Sequence, residues 1–170
     1  TIHDLWRAGQ ERRICFAPVF TMSQLPEQEQ LRARKFFVEV THPQAGTLTH
    51  LGPPYQLHDP WWNIRTPAPM LGEHNEEIKK EAGGWRLGAS PHLSSSLQSP
   101  ASSPKLPLAG VRVADFTWVW AGPFGAMHLA HLGAEVIKIE SHARPDLARR
   151  LPIVPTGMEP NVNRSGYFNQ

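Results

Sequence analysis

Ala121-Gly122-Pro123 follows a β-branched and aromatic run and opens a stretch of helical composition that ends at Gly133. A turn of this make-up at a strand-to-helix junction leaves backbone N–H groups unpaired, an arrangement that suits a phosphate-bearing cofactor. Pro123 is expected at the first helical position, where its missing N–H costs nothing. Gly133 is expected to be the left-handed residue that stops the helix. Glu140 closes a second β-branched run containing Val136, Ile137 and Ile139, at the point where an acid would bind the ribose of a nicotinamide dinucleotide. The glycines argue against that ligand. Only Gly122 and Gly125 are present, and Pro123 stands where the G-x-G-x-x-G pattern needs a donor.

Other reactive side chains carry plainer readings. Asp115 is placed to close the first strand and to order nearby backbone N–H groups. His128 and His131 share a helical stripe with Phe124 and Met127, but no third ligand is identifiable, so no metal is expected and the histidines read as core or pocket wall. Cys15, the single cysteine, lies in an apolar run and is expected to be a buried, inert thiol. It cannot form an internal disulfide, which fits a reducing, cytoplasmic setting. Trp61-Trp62 is expected to be packed or to form a subunit interface.

The elements that must position these groups follow from the pattern. Residues 106–140 read as strand, glycine-bearing turn, helix and strand, an α/β unit with a Rossmann-like start. Upstream, residues 25–34 form a charged helix candidate with Ser23 as a possible cap. Residues 36–40 and 47–51 read as strands flanking a turn at 42–46. Residues 86–105 are rich in serine and proline and read as a linker. The chain therefore divides into segments 1–85, 86–105 and 106–170. With 40% apolar and 19% charged residues, its 170 residues are enough for a real core. A formal charge of +2 gives no case for nucleic acid. The apolar run at 118–139 is broken by Pro123, His128, His131, Glu135 and Lys138 and reads as core, not as a membrane span.

Several phrases of this sequence occur together in one known family. Leu106-Pro107-Leu108-Ala109-Gly110, Asp115-Phe116-Thr117, Ala121-Gly122-Pro123 and the run from Leu132 to Glu140 resemble the opening of the family III CoA-transferases, the CaiB/BaiF group that includes formyl-CoA transferases. Tyr167-Phe168-Asn169 resembles that family's next block. Residues 13–19, Phe36-Phe37-Val38-Glu39-Val40, Gly52-Pro53-Pro54-Tyr55 and the phrase Leu71-Gly72-Glu73-His74 resemble its carboxy-terminal end. The resemblance implies transfer of coenzyme A between an acyl-CoA and a carboxylic acid through an aspartyl intermediate. The acyl-carrying aspartate is expected beyond Gln170, so no catalytic residue is assigned and the segment alone is expected to be inactive. Val119, Trp120, Ala121 and Ser141 match positions at which the family holds coenzyme A. Ser141 stands where a basic residue is common, and Arg144 or Lys138 is a candidate replacement. The order of the two ends implies a tandem protein, with circular permutation as the alternative. Pairing as an interlocked dimer, or within the tandem, follows from the same resemblance. An acyl-CoA racemase of the family, a non-catalytic half and a nicotinamide oxidoreductase remain alternatives.

Overall fold

The computed structural model describes residues 1–59, 61–83, 106–151 and 153–165. The expected linker at 86–105 and the Tyr167-Phe168-Asn169 block lie outside the described residues. Two compact units are present, Thr1–Phe37 and Val38–Gln170.

In the first unit, helix α1 (Ile2–Glu11) is opened by a capping box. The Thr1 hydroxyl accepts the Asp4 N–H at 3.3 Å, and the Asp4 carboxylate bonds back to Thr1. His3 and Trp6 on α1 meet Phe20, with ring centroids 6.0 and 6.3 Å away. The charged segment forms a 3-10 turn (Met22–Glu27) and then a short helix α2 (Glu29–Ala33). The expected cap at Ser23 is corrected to Thr21, whose N–H donates to the Gln24 side chain at 2.9 Å. Pro26 sits within the 3-10 turn and the helical segment divides at Gln28, whose backbone is extended. Cys15 is exposed, not buried as expected. Arg13, with φ 58°, turns the chain sharply after α1, and the residues that follow run along the surface.

The second unit opens within a two-stranded sheet of β1 (Phe37–His42), all of whose residues after Phe37 belong to it, and β2 (Gly46–Leu51). Its turn is locked by buried His42, whose Nδ1 accepts the N–H groups of Gln44 and Ala45 at 3.1 and 3.0 Å. After α3 (Asn75–Gly83), β3 (Arg112–Asp115) leads into α4 (Ala121–His131), which returns as β4 (Glu135–Lys138). β3 and β4 are parallel neighbours, with Val113 opposite Val136 and Asp115 opposite Lys138. Chains connecting parallel strands need such a crossover. The structure is thus mixed helix and strand, compatible with an α/β fold.

At the turn, Asp115 closes the first strand as expected, and the place of Pro123 is corrected. β3 stops at Asp115, because the Asp115 carboxylate takes the Thr117 N–H at 2.8 Å and Val119 adopts φ 61°, which ends extended backbone. Pro123 is the third residue of α4, not the first, since the Trp120 carbonyl already accepts the Phe124 N–H. It is tolerated there because first-turn N–H groups have no intrahelical partner. Gly133 ends α4 as expected. Its N–H donates to Ala130 O at 2.9 Å and the Ala134 N–H to Leu129 O at 3.0 Å, a Schellman pattern.

The carboxyl end of α4 is clasped by residues 61–65. Trp62 lies 4.4 Å from the His131 ring, the Asn63 N–H donates to His131 O at 2.9 Å, and Arg65 donates to Ala134 O at 2.6 Å. Arg112 on β3 joins Glu135 on β4 (2.7 and 3.0 Å) to Glu81 on α3 (2.7 Å). Trp62 is therefore packed. Burial, with the neighbouring His128, His50 and Arg65, holds the His131 imidazole down at about 4. The unfolded chain takes up that proton first, near the ordinary 6.5. The stability contributed by neutral His131 is thus whole above about pH 6.5 and declines as pH falls toward about 4. We expect a loss of about 1–2 kcal/mol across that window, because Trp62 and the helix end partly favour the cation. Urea midpoints from pH 7 to pH 4 check this, and His131→Gln should flatten the curve.

Candidate functional site

The candidate site lies where the chain leaves the carboxyl ends of β3 and β4, the side of a parallel pair on which ligands are usually found. Its first loop, residues 116–120, links Asp115 to the first turn of α4. Gly122 lets this loop fold back on the helix, since a Cβ there would lie 2.3 Å from Thr117 Cβ. Trp120, 70% exposed, and Phe116, 73% exposed, stand open beside the helix start, and Phe124, 60% exposed, follows one turn along. The helix geometry leaves the Ala121 and Gly122 N–H groups without an intrahelical acceptor.

The second loop, residues 141–146, lies against the first. The Trp118 indole Nε1 donates to Pro145 O at 3.3 Å, and the Arg144 guanidinium sits 4.5 Å over the Trp118 ring. A cation on an indole face is held by the ring quadrupole. Ser141 is exposed, and its hydroxyl accepts the Arg144 N–H at 3.1 Å, which fixes the loop that presents Arg144. Lys138 is not available as the replacement cation. Its ammonium faces Asp146 at 3.0 Å and Asp115 at 3.7 Å, and donates to Thr117 O at 3.0 Å. Arg144 alone of the two sequence candidates remains at the surface.

The acids near the turn face inward. Asp146 is 1% exposed and accepts the Val119 N–H at 3.3 Å and the Ala148 N–H at 3.0 Å. Burial would raise its carboxyl, but the Ala148 N–H, the Lys138 ammonium and the Val119 N–H outweigh it and hold the carboxyl below its ordinary value. Glu140 accepts the Asp146 N–H at 2.8 Å and Arg149 Nε at 2.8 and 3.1 Å. The acid that a dinucleotide would need for its ribose is therefore engaged by Arg149. Burial presses the Arg149 guanidinium downward, and Glu140 pulls it back. His128 and His131 have ring centroids 5.9 Å apart, and among the described residues no group of three His, Cys, Asp or Glu is placed to hold a metal ion. Among the described residues no helix is long and apolar enough to cross a membrane.

Sequence reasoning found the turn but not the role of Asp146, Lys138 and Arg149. One signal was present: Asp146 after Pro145 and before Leu147-Ala148-Arg149 has the form of a helix cap, and its side chain caps the 3-10 turn Leu147–Arg150.

Fold and site together define a mixed helix-and-strand protein whose βα turn is open to solvent. The chain belongs to CoA-transferase family III, whose model matches residues 1–75 and 108–170. Formyl-CoA:oxalate CoA-transferase of Rhodopseudomonas palustris (strain TIE-1) is 33% identical over 87 residues, covering 51% of this chain and 20% of that protein. The protein of the same name from Bradyrhizobium sp. (strain ORS 278) is 37% identical over 68 residues, 40% of this chain and 16% of its own length. Succinyl-CoA:glutarate CoA-transferase of Mus musculus is 54% identical over 52 residues, 31% of this chain and 12% of its own. The chain thus spans about a fifth or less of these relatives. No solved structure matches it.

Proposed function

We propose that this chain is part of an enzyme that moves coenzyme A between an acyl-CoA and a carboxylic acid, and that Val119, Trp120, Ala121 and Ser141 form one wall of its coenzyme site. The observation that carries the reading is the pairing of the two loops. A phosphate-bearing ligand at the α4 start meets the N–H groups of Ala121 and Gly122 and the Arg144 guanidinium, while Asp115, Asp146 and Glu140 turn inward. Arg144 takes the part of the basic residue that Ser141 replaces.

The acyl-carrying aspartate is proposed to lie outside these residues. Asp115 and Asp146 are both buried against Lys138, which supports a structural role for each. The arrangement is proposed to be a tandem, with a Rossmann-like second start following the tail of a first unit, and the family match in two stretches, 1–75 and 108–170, is compatible with that order. The exposure of Phe116, Trp120 and Phe124 is consistent with a domain start that further strands cover.

Titration of the full-length protein with coenzyme A and, separately, with NAD tests the reading. Saturable binding of coenzyme A without binding of NAD is expected, and Arg144→Ala should weaken coenzyme affinity about 3–10-fold. Preference for NAD would overturn the proposal, and unchanged affinity in the Arg144 variant would remove Arg144 from it.

A further inference from the structure

We propose that the Asp146 carboxylate is a positioning group, which holds Val119 in its left-handed conformation and so sets the turn that faces the coenzyme. The inference rests on the coenzyme reading of that turn.

Val119 has φ 61°, and a β-branched residue avoids this region because its Cβ substituents crowd the neighbouring peptide. Such a conformation persists only where surrounding contacts over-determine it. The contacts here come from the loop after β4. Asp146 Oδ1 accepts the Val119 N–H at 3.3 Å and the Ala148 N–H at 3.0 Å. Its other oxygen lies 3.0 Å from Lys138 Nζ. Lys138 in turn donates to Thr117 O at 3.0 Å, and the Thr117 N–H is held by Asp115 at 2.8 Å. Trp118 is tied to Pro145 O at 3.3 Å. The backbone at Thr117 and Val119 and the Trp118 ring are thereby anchored to the two strand ends, and the Asp146 N–H is fixed on Glu140 at 2.8 Å.

A carboxylate is required at residue 146 because all its neighbours donate: two backbone N–H groups and an ammonium. An amide would turn its own N–H groups toward one of them. The conformation of Val119 sets the direction of the chain into Trp120 and α4, and hence where the Ala121 and Gly122 N–H groups point. Asp146 acts on the coenzyme through that turn, without touching it.

The test is rescue. In the full-length protein Asp146→Asn should weaken coenzyme A binding about tenfold and speed amide hydrogen exchange at Val119 and Phe124, whose N–H groups are bonded. Glycine accepts a left-handed conformation without the penalty. Val119→Gly in the Asp146→Asn background should therefore recover most of the lost affinity and slow exchange again. Failure of the glycine to restore either quantity in a folded double variant overturns the inference. So does unchanged affinity and exchange in Asp146→Asn. If the wild type binds no coenzyme A, the coenzyme reading fails, and exchange at Val119 and Phe124 alone still decides whether Asp146 holds the turn.

Discussion

Arg149→Ala is expected to lower the unfolding free energy by about 3–5 kcal/mol, the largest effect anticipated for a single charged side chain here. Arg149 is buried and its Nε bonds both oxygens of Glu140, while Nη1 donates to Val162 O at 3.2 Å. Removing the guanidinium strands a largely buried carboxylate that keeps, among the described residues, the Asp146 N–H as its partner. The cost comes from that uncompensated charge more than from the lost attraction, since a buried pair gains little over neutral groups that fit the same space. A second variant separates the two. Arg149→Met with Glu140→Gln keeps an acceptor for the Asp146 N–H and removes both charges, so it should recover more than half of the loss. Urea unfolding of Arg149→Ala, and of Arg149→Met and Glu140→Gln singly and together as a cycle, measures the difference. Equal losses in both would mean that packing, not charge, sets the role of Arg149.

Gly133→Ala is expected to cost about 2–4 kcal/mol, from two causes that act together. Gly133 has φ 109°, a backbone that side chains rarely adopt, and an added Cβ would lie 2.6 Å from Leu106 Cβ and 3.2 Å from Ala109 N. The Leu108 N–H donates to Leu132 O at 2.9 Å, so the segment before β3 has no room to withdraw without breaking that bond. Gly110 serves as the comparison. Its φ of 89° carries conformational strain too, but an added Cβ meets nothing within 4 Å. Gly110→Ala should therefore cost only about 1–2 kcal/mol. The gap between the two, read as a difference in denaturation midpoints, isolates the steric part. If the two variants are equally destabilised, close approach to Leu106 contributes nothing.

Much of the local structure was legible in the residues. The hairpin around residues 42–46, the helix stop at Gly133 and the strand at Val136 and Ile137 all follow from period and from glycine, because these depend on neighbours in sequence. Three expectations failed for a common reason. The cap at Ser23, the burial of Cys15 and the place of Pro123 at the first helical position each depend on where a carbonyl or side chain a few residues away ends up. Composition does not specify that. The turn at Val119-Trp120-Ala121 was found, but its conformation was not. A valine at φ 61° contradicts local preference, and its support comes from Asp146, which is distant in sequence.

The residues by themselves determined a strand–helix–strand unit with an open turn, and a family likeness that the comparisons bear out. They did so because period, glycine and proline act locally and because motif likeness is a property of the string. Only the tertiary structure decided which acids and cations remain at the turn. It withdrew Lys138 onto Asp115 and Asp146, engaged Glu140 with Arg149, and left Arg144 on the face of Trp118. The physical reason is that a charge in a partly buried setting is set by whatever opposite charge lies within a few ångströms, and the parallel pairing of β3 and β4 brings those partners together.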